Sequence, residues 1–115
     1  MVNKLILLGR VGADPEQTQL TSGIVVNFSL ATSEKWKKDG EQREETQWHD
    51  IKAFGSLADV ISKYVKKGDM LYIEGKVKYT TWEKDGIKRY GTDIICHNMQ
   101  MLGGKKNDTE SEFTG

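Results

Sequence analysis

Three tryptophans sit among lysines in this chain. Trp36 lies within Glu34-Lys35-Trp36-Lys37-Lys38, Trp48 is followed by Asp50, Lys52 and Phe54, and Trp82 stands between Lys76, Lys78 and Lys84. An aromatic ring offers a face on which any nucleobase can stack, and a neighbouring ammonium can pair with the phosphate between two bases. The chemistry available is therefore noncovalent: stacking by Trp36, Trp48, Phe54 and Trp82, and phosphate pairing by Lys35, Lys37, Lys52, Lys76, Lys78 and Lys84. A protein-interaction surface, which also gathers aromatic residues, is the competing reading of the same spacing. Stacking requires rings that face water, so the elements carrying them decide the matter.

Along a strand from Thr46 to Gly55, alternation puts Trp48, Asp50, Lys52 and Phe54 on one face and Gln47, His49, Ile51 and Ala53 on the other. Turning the first set inward would bury Asp50 and Lys52, at several kcal/mol each, against a gain of roughly 1.5–3 kcal/mol per large apolar side chain. The first set is expected to face outward. In the strand beginning at Leu71, residues Leu71, Ile73, Val77 and Tyr79 take the inward face, with Gly75 among them as a bend or bulge. Lys76, Lys78 and Thr80 share the outward parity of Trp82. The run around Trp36 is too charged for a core strand. All three tryptophans are thus expected in water beside lysines, an amount of aromatic surface rarely shown without a ligand.

The remaining elements follow from pattern and punctuation. Lys4 to Leu8 reads as the first strand, closed by Gly9 and Gly12, with Asp14-Pro15 as a turn. Val26, Phe28 and Leu30 alternate with Asn27, Ser29 and Ala31 in a second strand from Ile24 to Thr32. A polar stretch from Ser33 to Glu45, centred on Asp39-Gly40, joins the second and third strands in a long hairpin. Leu57, Val60, Ile61 and Tyr64 recur at helical spacing from Ser56 to Lys67. Ser56 and Asp59 approximate a capping box, Lys66 and Lys67 suit the last turn, and Gly68 supplies the stop. After the fourth strand, Asp85-Gly86 turns the chain into a last strand from Arg89 to Met101. Three strands, one helix and two strands is the order of an all-β, five-stranded Greek-key OB-fold barrel, with the helix between strands three and four. The OB-fold domain is expected over residues 1–104 and a disordered polar tail over 105–115. Among OB modules, an RNA-binding barrel and a primosomal-type protein adapter remain open at this point.

Composition sets limits on all of this. A chain of 115 residues supports one domain. Seventeen basic and 17 acidic residues give a net charge of zero, so the strongly basic signature of many nucleic-acid binders is absent. The acids gather locally, in Glu41, Glu44 and Glu45 and again in Asp108, Glu110 and Glu112. Cys96 is the only cysteine, which excludes an intramolecular disulfide and fits a reducing, cytosolic compartment. No apolar run is long enough for a bilayer and no leader pattern opens the chain, so a soluble, unexported protein without a membrane partner is expected. No nucleophile with its base, metal cluster or phosphate loop is legible. Cys96 and His97 point to opposite faces as strand neighbours, and so do His49 and Asp50. No catalytic residue, metal or cofactor is expected.

Several longer motifs carry a resemblance. They are Asn3-Lys4-Leu5-Ile6-Leu7-Leu8-Gly9-Arg10-Val11-Gly12-Ala13-Asp14-Pro15-Glu16, Leu30-Ala31-Thr32-Ser33-Glu34, Thr46-Gln47-Trp48-His49, Phe54-Gly55-Ser56-Leu57-Ala58, Tyr64-Val65-Lys66-Lys67-Gly68, Tyr72-Ile73-Glu74-Gly75 and Met99-Gln100-Met101-Leu102-Gly103-Gly104. In this order, over most of the chain, they resemble the bacterial single-stranded DNA-binding proteins. The resemblance implies sequence-independent binding and protection of single-stranded DNA in replication, recombination and repair, in the cytoplasm and at the nucleoid. It implies stacking on four aromatics that fall here on Trp36, Trp48, Phe54 and Trp82, and a homotetramer with His49 and Tyr72 near subunit contacts. Two departures matter. Thr80 stands where the family often has a basic residue, which implies weaker phosphate contact there. The family also continues through a long linker to an acidic tip ending in Pro-Phe, whereas this sequence ends at Phe113-Thr114-Gly115. Replication and repair proteins are implied as partners only if such a tip is missing from this sequence.

Overall fold

Alternating apolar residues commit one face of each strand to the interior, and the computed structural model, which describes residues 1–102, shows how those faces meet. The elements are β1 (Leu5–Val11), β2 (Glu16–Leu20), β3 (Gly23–Lys38), β4 (Glu41–Phe54), α1 (Gly55–Tyr64), β5 (Met70–Lys84) and β6 (Ile87–Leu102). The strand order is β1-β5-β6-β4-β3-β2, and an additional pairing of β1 with β3 closes five of the strands into a barrel. Neighbouring strands are antiparallel except β4 and β6, which run parallel through Ile51↔Ile94 and Lys52↔Ile95. This is the expected five-stranded Greek-key barrel with its helix between the third and fourth barrel strands. The expected domain end at Gly103-Gly104 and the tail over 105–115 lie outside the described residues.

One element was not expected. β2 pairs with β3 from Glu16↔Asn27 to Leu20↔Gly23, and all five of its residues are exposed. Its side chains, Glu-Gln-Thr-Gln-Leu, bury nothing, so no apolar alternation marks it in the sequence. Main-chain pairing to the edge of β3 is what makes it a strand.

The hairpins also run further than expected. The polar stretch from Ser33 to Glu45 is itself paired strand out to Lys38↔Glu41. Asp39-Gly40 closes it with φ of +53° and +79°, and Asp85-Gly86 closes the β5–β6 hairpin with φ of +54° and +76°. Two central residues at positive φ form the turn whose twist matches that of the flanking strands. Both hairpins therefore project past the barrel as two-sided ribbons. Tyr79, expected inward by parity, is exposed for this reason: it lies beyond the core, opposite exposed Thr92.

The core holds Val26, Phe28, Leu30, Ile51, Ala53, Leu71, Ile73, Ile94 and Cys96 from the strands and Ala58 and Ile61 from α1. The helix differs from its expected form in three ways. It ends at Tyr64, its N-cap is Phe54 with no side-chain cap, and its buried stripe is Ala58 and Ile61, continued by Val65, with Leu57 half-buried. Val60 and Tyr64 face water. The last turn stops early because Asp69 accepts a hydrogen bond from the backbone N–H of Lys66, and Gly68 takes a positive φ of +90° beyond the helix. Gly75 stands at the expected bulge: Glu74 pairs with Asn98 but Gly75 with Cys96, which leaves His97 as the extra residue. A side chain on Gly75 would collide with the backbone carbonyl of Ile95. Burial pushes the Cys96 thiol up to about 11, so it sits in the core as a protonated, unreactive group.

Phe28 is buried at 6% and belongs to this core. Phe28→Ala is expected to lower the unfolding free energy by about 3–5 kcal/mol, read as a shift in the urea midpoint at unchanged slope.

Candidate nucleic-acid interface

Register places the candidate residues of β4 and β5 that share the parity of Trp48 and Trp82 on a common surface. Asn27, Lys52, Ile95 and Lys76 are consecutive partners across β3, β4, β6 and β5, so they form one lateral row on the outside of the barrel. Residues in step with that row share its face. On β4 these are Trp48, Asp50 and Phe54, and on β5 they are Lys78, Thr80, Trp82 and Lys84. Trp48 is 62% exposed, Phe54 48% and Trp82 49%. The outward parity expected for β4 and β5 is what the structure has, and Ile51 and Ala53 fill the core from the opposite face of β4.

Two of the rings rest on glycines. A side chain on Gly12 would run into the Trp48 ring, so the indole lies directly over that glycine. Gly12 is itself pinned, because its N–H donates to the carbonyl of Ser29 at 3.0 Å. Gly91, the partner of Thr80 in the β5–β6 hairpin, plays the same part for Trp82: a Cβ there would stand 2.9 Å from Trp82 Cζ3. Each indole thus has its six-membered ring in the space that a side chain on a glycine would take, while about half or more of the residue stays exposed. Neither glycine was identified from the sequence, where both look like turn or strand punctuation. Their signal was only cross-strand register, which a single sequence does not carry.

Trp36 is placed differently. It is 43% exposed, as expected, but it pairs with Arg43 and so lies on the face of the β3–β4 ribbon opposite to Trp48. Lys35 and Lys37 are on the Trp48 side, with Glu44 directly across from Lys35. Lys52 is half-buried and its ammonium donates to Asn27 Oδ1 at 2.9 Å. It also borders a groove of about 380 Å³ that holds Asp14, Glu16 and Asp50. Three carboxylates beside one tethered lysine make that groove a poor seat for phosphate. Lys76, Lys78 and Lys84 are exposed, and none of them is in an ion pair among the described residues.

His49 and Tyr72 lie away from the rings. His49 is half-buried and hydrogen-bonded through Nε2 to Thr32 Oγ1 at 2.9 Å. Tyr72 is on the outer face of β5, where its neighbour across β1 is Leu8. Its hydroxyl donates to Glu74 Oε2 at 2.6 Å. That bond holds the Glu74 carboxyl below its ordinary range, with Lys4 at 3.8 Å assisting, and it raises the Tyr72 phenol. Ile6 and Leu8 on the same face are exposed, an apolar pair beside Tyr72 that the sequence reading left unremarked. Among the described residues no group of histidine, cysteine and acidic side chains is arranged to hold a metal ion. No helix there is long and apolar enough to cross a membrane.

Comparison with known proteins places the chain among relatives. Single-stranded DNA-binding protein 1 of Chlorobaculum tepidum is 50% identical over 108 residues, covering 90% of this chain and 67% of that protein. The Single-stranded DNA-binding protein of Neisseria meningitidis is 42% identical over 111 residues, covering 94% and 64%. The chain therefore spans about two thirds of the length of these relatives. Among solved structures, the Plasmodium falciparum SSB in complex with ssDNA superposes with a TM-score of 0.82 at 32% identity, covering 89% of this chain and 96% of that one. A profile of the Single-strand binding protein family matches residues 2–102, the stretch that forms the barrel and presents Trp48, Phe54 and Trp82, and the chain belongs to that family.

Proposed function

We propose that this chain binds single-stranded DNA with little regard to sequence and protects it in replication, recombination and repair. The observation that carries the reading is the pair of indoles, Trp48 and Trp82, exposed on one surface and each backed by a glycine, with Lys76 and Lys78 beside them. Stacking energy is nearly independent of base identity, whereas sequence reading needs an ordered array of donors and acceptors aimed at base edges. Phe54 joins the platform from the end of β4. Trp36, Lys35 and Lys37 extend contact along the β3–β4 ribbon, and Lys84 along the β5–β6 hairpin. Lys52 contributes least, because Asn27 already engages it. That the Plasmodium falciparum relative is in complex with ssDNA supports DNA as the ligand. The protein acts by binding, without a catalytic step or cofactor, in the cytoplasm and at the nucleoid.

The oligomer belongs to the same reading. Ile6 and Leu8 expose apolar surface beside Tyr72, and a second copy of the chain is the occupant that would remove it from water. We place Tyr72 and His49 at subunit contacts of a homotetramer.

Trp48→Ala and Trp82→Ala should each weaken poly-dT binding by about 1–3 kcal/mol in a fluorescence titration while thermal melts stay within about 0.5 kcal/mol of the parent. Duplex DNA bound as tightly as poly-dT would overturn the stacking reading. Gly91→Val should separate ring position from ring presence. Valine suits a strand better than glycine, so stability holds or rises, yet the displaced Trp82 ring costs poly-dT affinity. Light scattering at micromolar concentration should return four times the chain mass, and a monomer would remove the assembly proposal.

A further inference from the structure

Tyr79, at 79% the most exposed aromatic side chain among the described residues, stands on the wall of a groove of about 500 Å³. Phe54, Lys76, Val77 and Lys78 line the groove with it, and Asn3 closes one side. Asn3 fixes its geometry through two hydrogen bonds. Its Nδ2 donates to the Val77 carbonyl at 2.9 Å, and the Val77 N–H donates to its Oδ1 at 3.1 Å. The Tyr79 ring therefore projects from a clamped strand rather than from a loop.

The charges differ from those of the groove beside Lys52. No acidic side chain lines this one, and Asp93, which lies across from Lys78 in register, does not border it. Lys76 and Lys78 make no ion pair among the described residues. Two aromatic rings, two unengaged ammonium groups and an apolar floor at Val77 are the components a stacked nucleotide requires. Tyr79 contributes nothing to the core, since β5 has already outrun it.

We propose that Tyr79 is a stacking residue for single-stranded DNA, holding a base across the groove from Phe54 while Lys76 and Lys78 pair with the adjoining phosphates. The proposal rests on the reading of the chain as a single-strand binder and adds a route to it. Tyr79 and Trp82 lie on opposite faces of the β5–β6 hairpin. β5 pairs with β1 only as far as Gly75, so its other edge is open beyond Asn3. A strand contacting both rings turns round that edge at Lys78.

Titration of poly-dT against Tyr79→Ala, Tyr79→Phe and Trp48→Ala, with melts and light scattering on each, tests the assignment. Tyr79→Ala should weaken binding about five- to a hundredfold with melting and mass unchanged, and Tyr79→Phe should bind as the parent does. Photo-cross-linking to poly-dT carrying iododeoxyuridine should yield an adduct on Tyr79, located by mass spectrometry. If Trp48→Ala weakens binding and Tyr79→Ala does not, the Tyr79 assignment is wrong while the single-strand reading stands. If neither weakens it, both fail together. Equal losses in Tyr79→Phe and Tyr79→Ala would overturn stacking in favour of a hydroxyl contact, and a fall in mass for Tyr79→Ala would make the residue a subunit contact instead.

Discussion

At Arg10 the first strand changes partner. From Leu5 to Arg10 it pairs with β5, and at Arg10 and Val11 it pairs with β3, so one short segment joins the two ends of the sheet. Two backbones can approach this closely only where a side chain is missing. Gly9 provides the gap, since a Cβ there would overlap the Ala31 carbonyl. Gly75 does the same between β5 and β6. Closure pairs the barrel strands over the length they share and turns one face of each inward there, which leaves the other face to solvent.

That division makes the outer surface rigid where it matters. Trp48 and Lys52 alternate with Ile51 and Ala53, so their backbone cannot shift without disturbing the core. The indoles gain definition from Gly12 and Gly91, whose missing side chains leave room for the rings against the backbone. A preorganised ring loses little conformational freedom on meeting a base, and affinity rises by what is not lost. The whole-chain charge of zero is consistent with this, because Glu34, Asp39, Glu41, Glu44 and Glu45 cluster on the β3–β4 ribbon, and among the described residues the lysines beside Trp82 make no ion pair.

Alternation made much of this readable from residues alone. Burying Asp50 and Lys52 to hide Trp48 would have cost more than it returned, so parity decided β4 and, with Lys76 and Lys78, decided β5. The same rule misplaced Tyr79, because alternation says which face a residue takes and not where the core ends. A strand rising roughly 3.3 Å per residue outruns a small barrel well before its fifteenth residue, and that arithmetic was available in the sequence. β2 was invisible for a different reason: its residues are exposed on both faces, and pairing alone defines it. The Gly12 and Gly91 supports depend on which residues face each other across strands, which only the folded register discloses. The position of Trp36 on the reverse of its ribbon follows from the same register.

The two projecting hairpins carry a further consequence, in the currency of local opening. Beyond the barrel, Glu34–Glu45 and Tyr79–Tyr90 are held mainly by their own ladder and by tight Asp-Gly turns, with few of their side chains buried. Amide hydrogen exchange in such ribbons proceeds through fraying from the tip, at free energies well below that of global unfolding. Trp36 therefore sits on an arm with no core beneath it and no glycine support, Trp82 on an arm but against Gly91, and Trp48 on the barrel itself. Any contact made at the tip of either arm must first offset the freedom that the arm loses on being held.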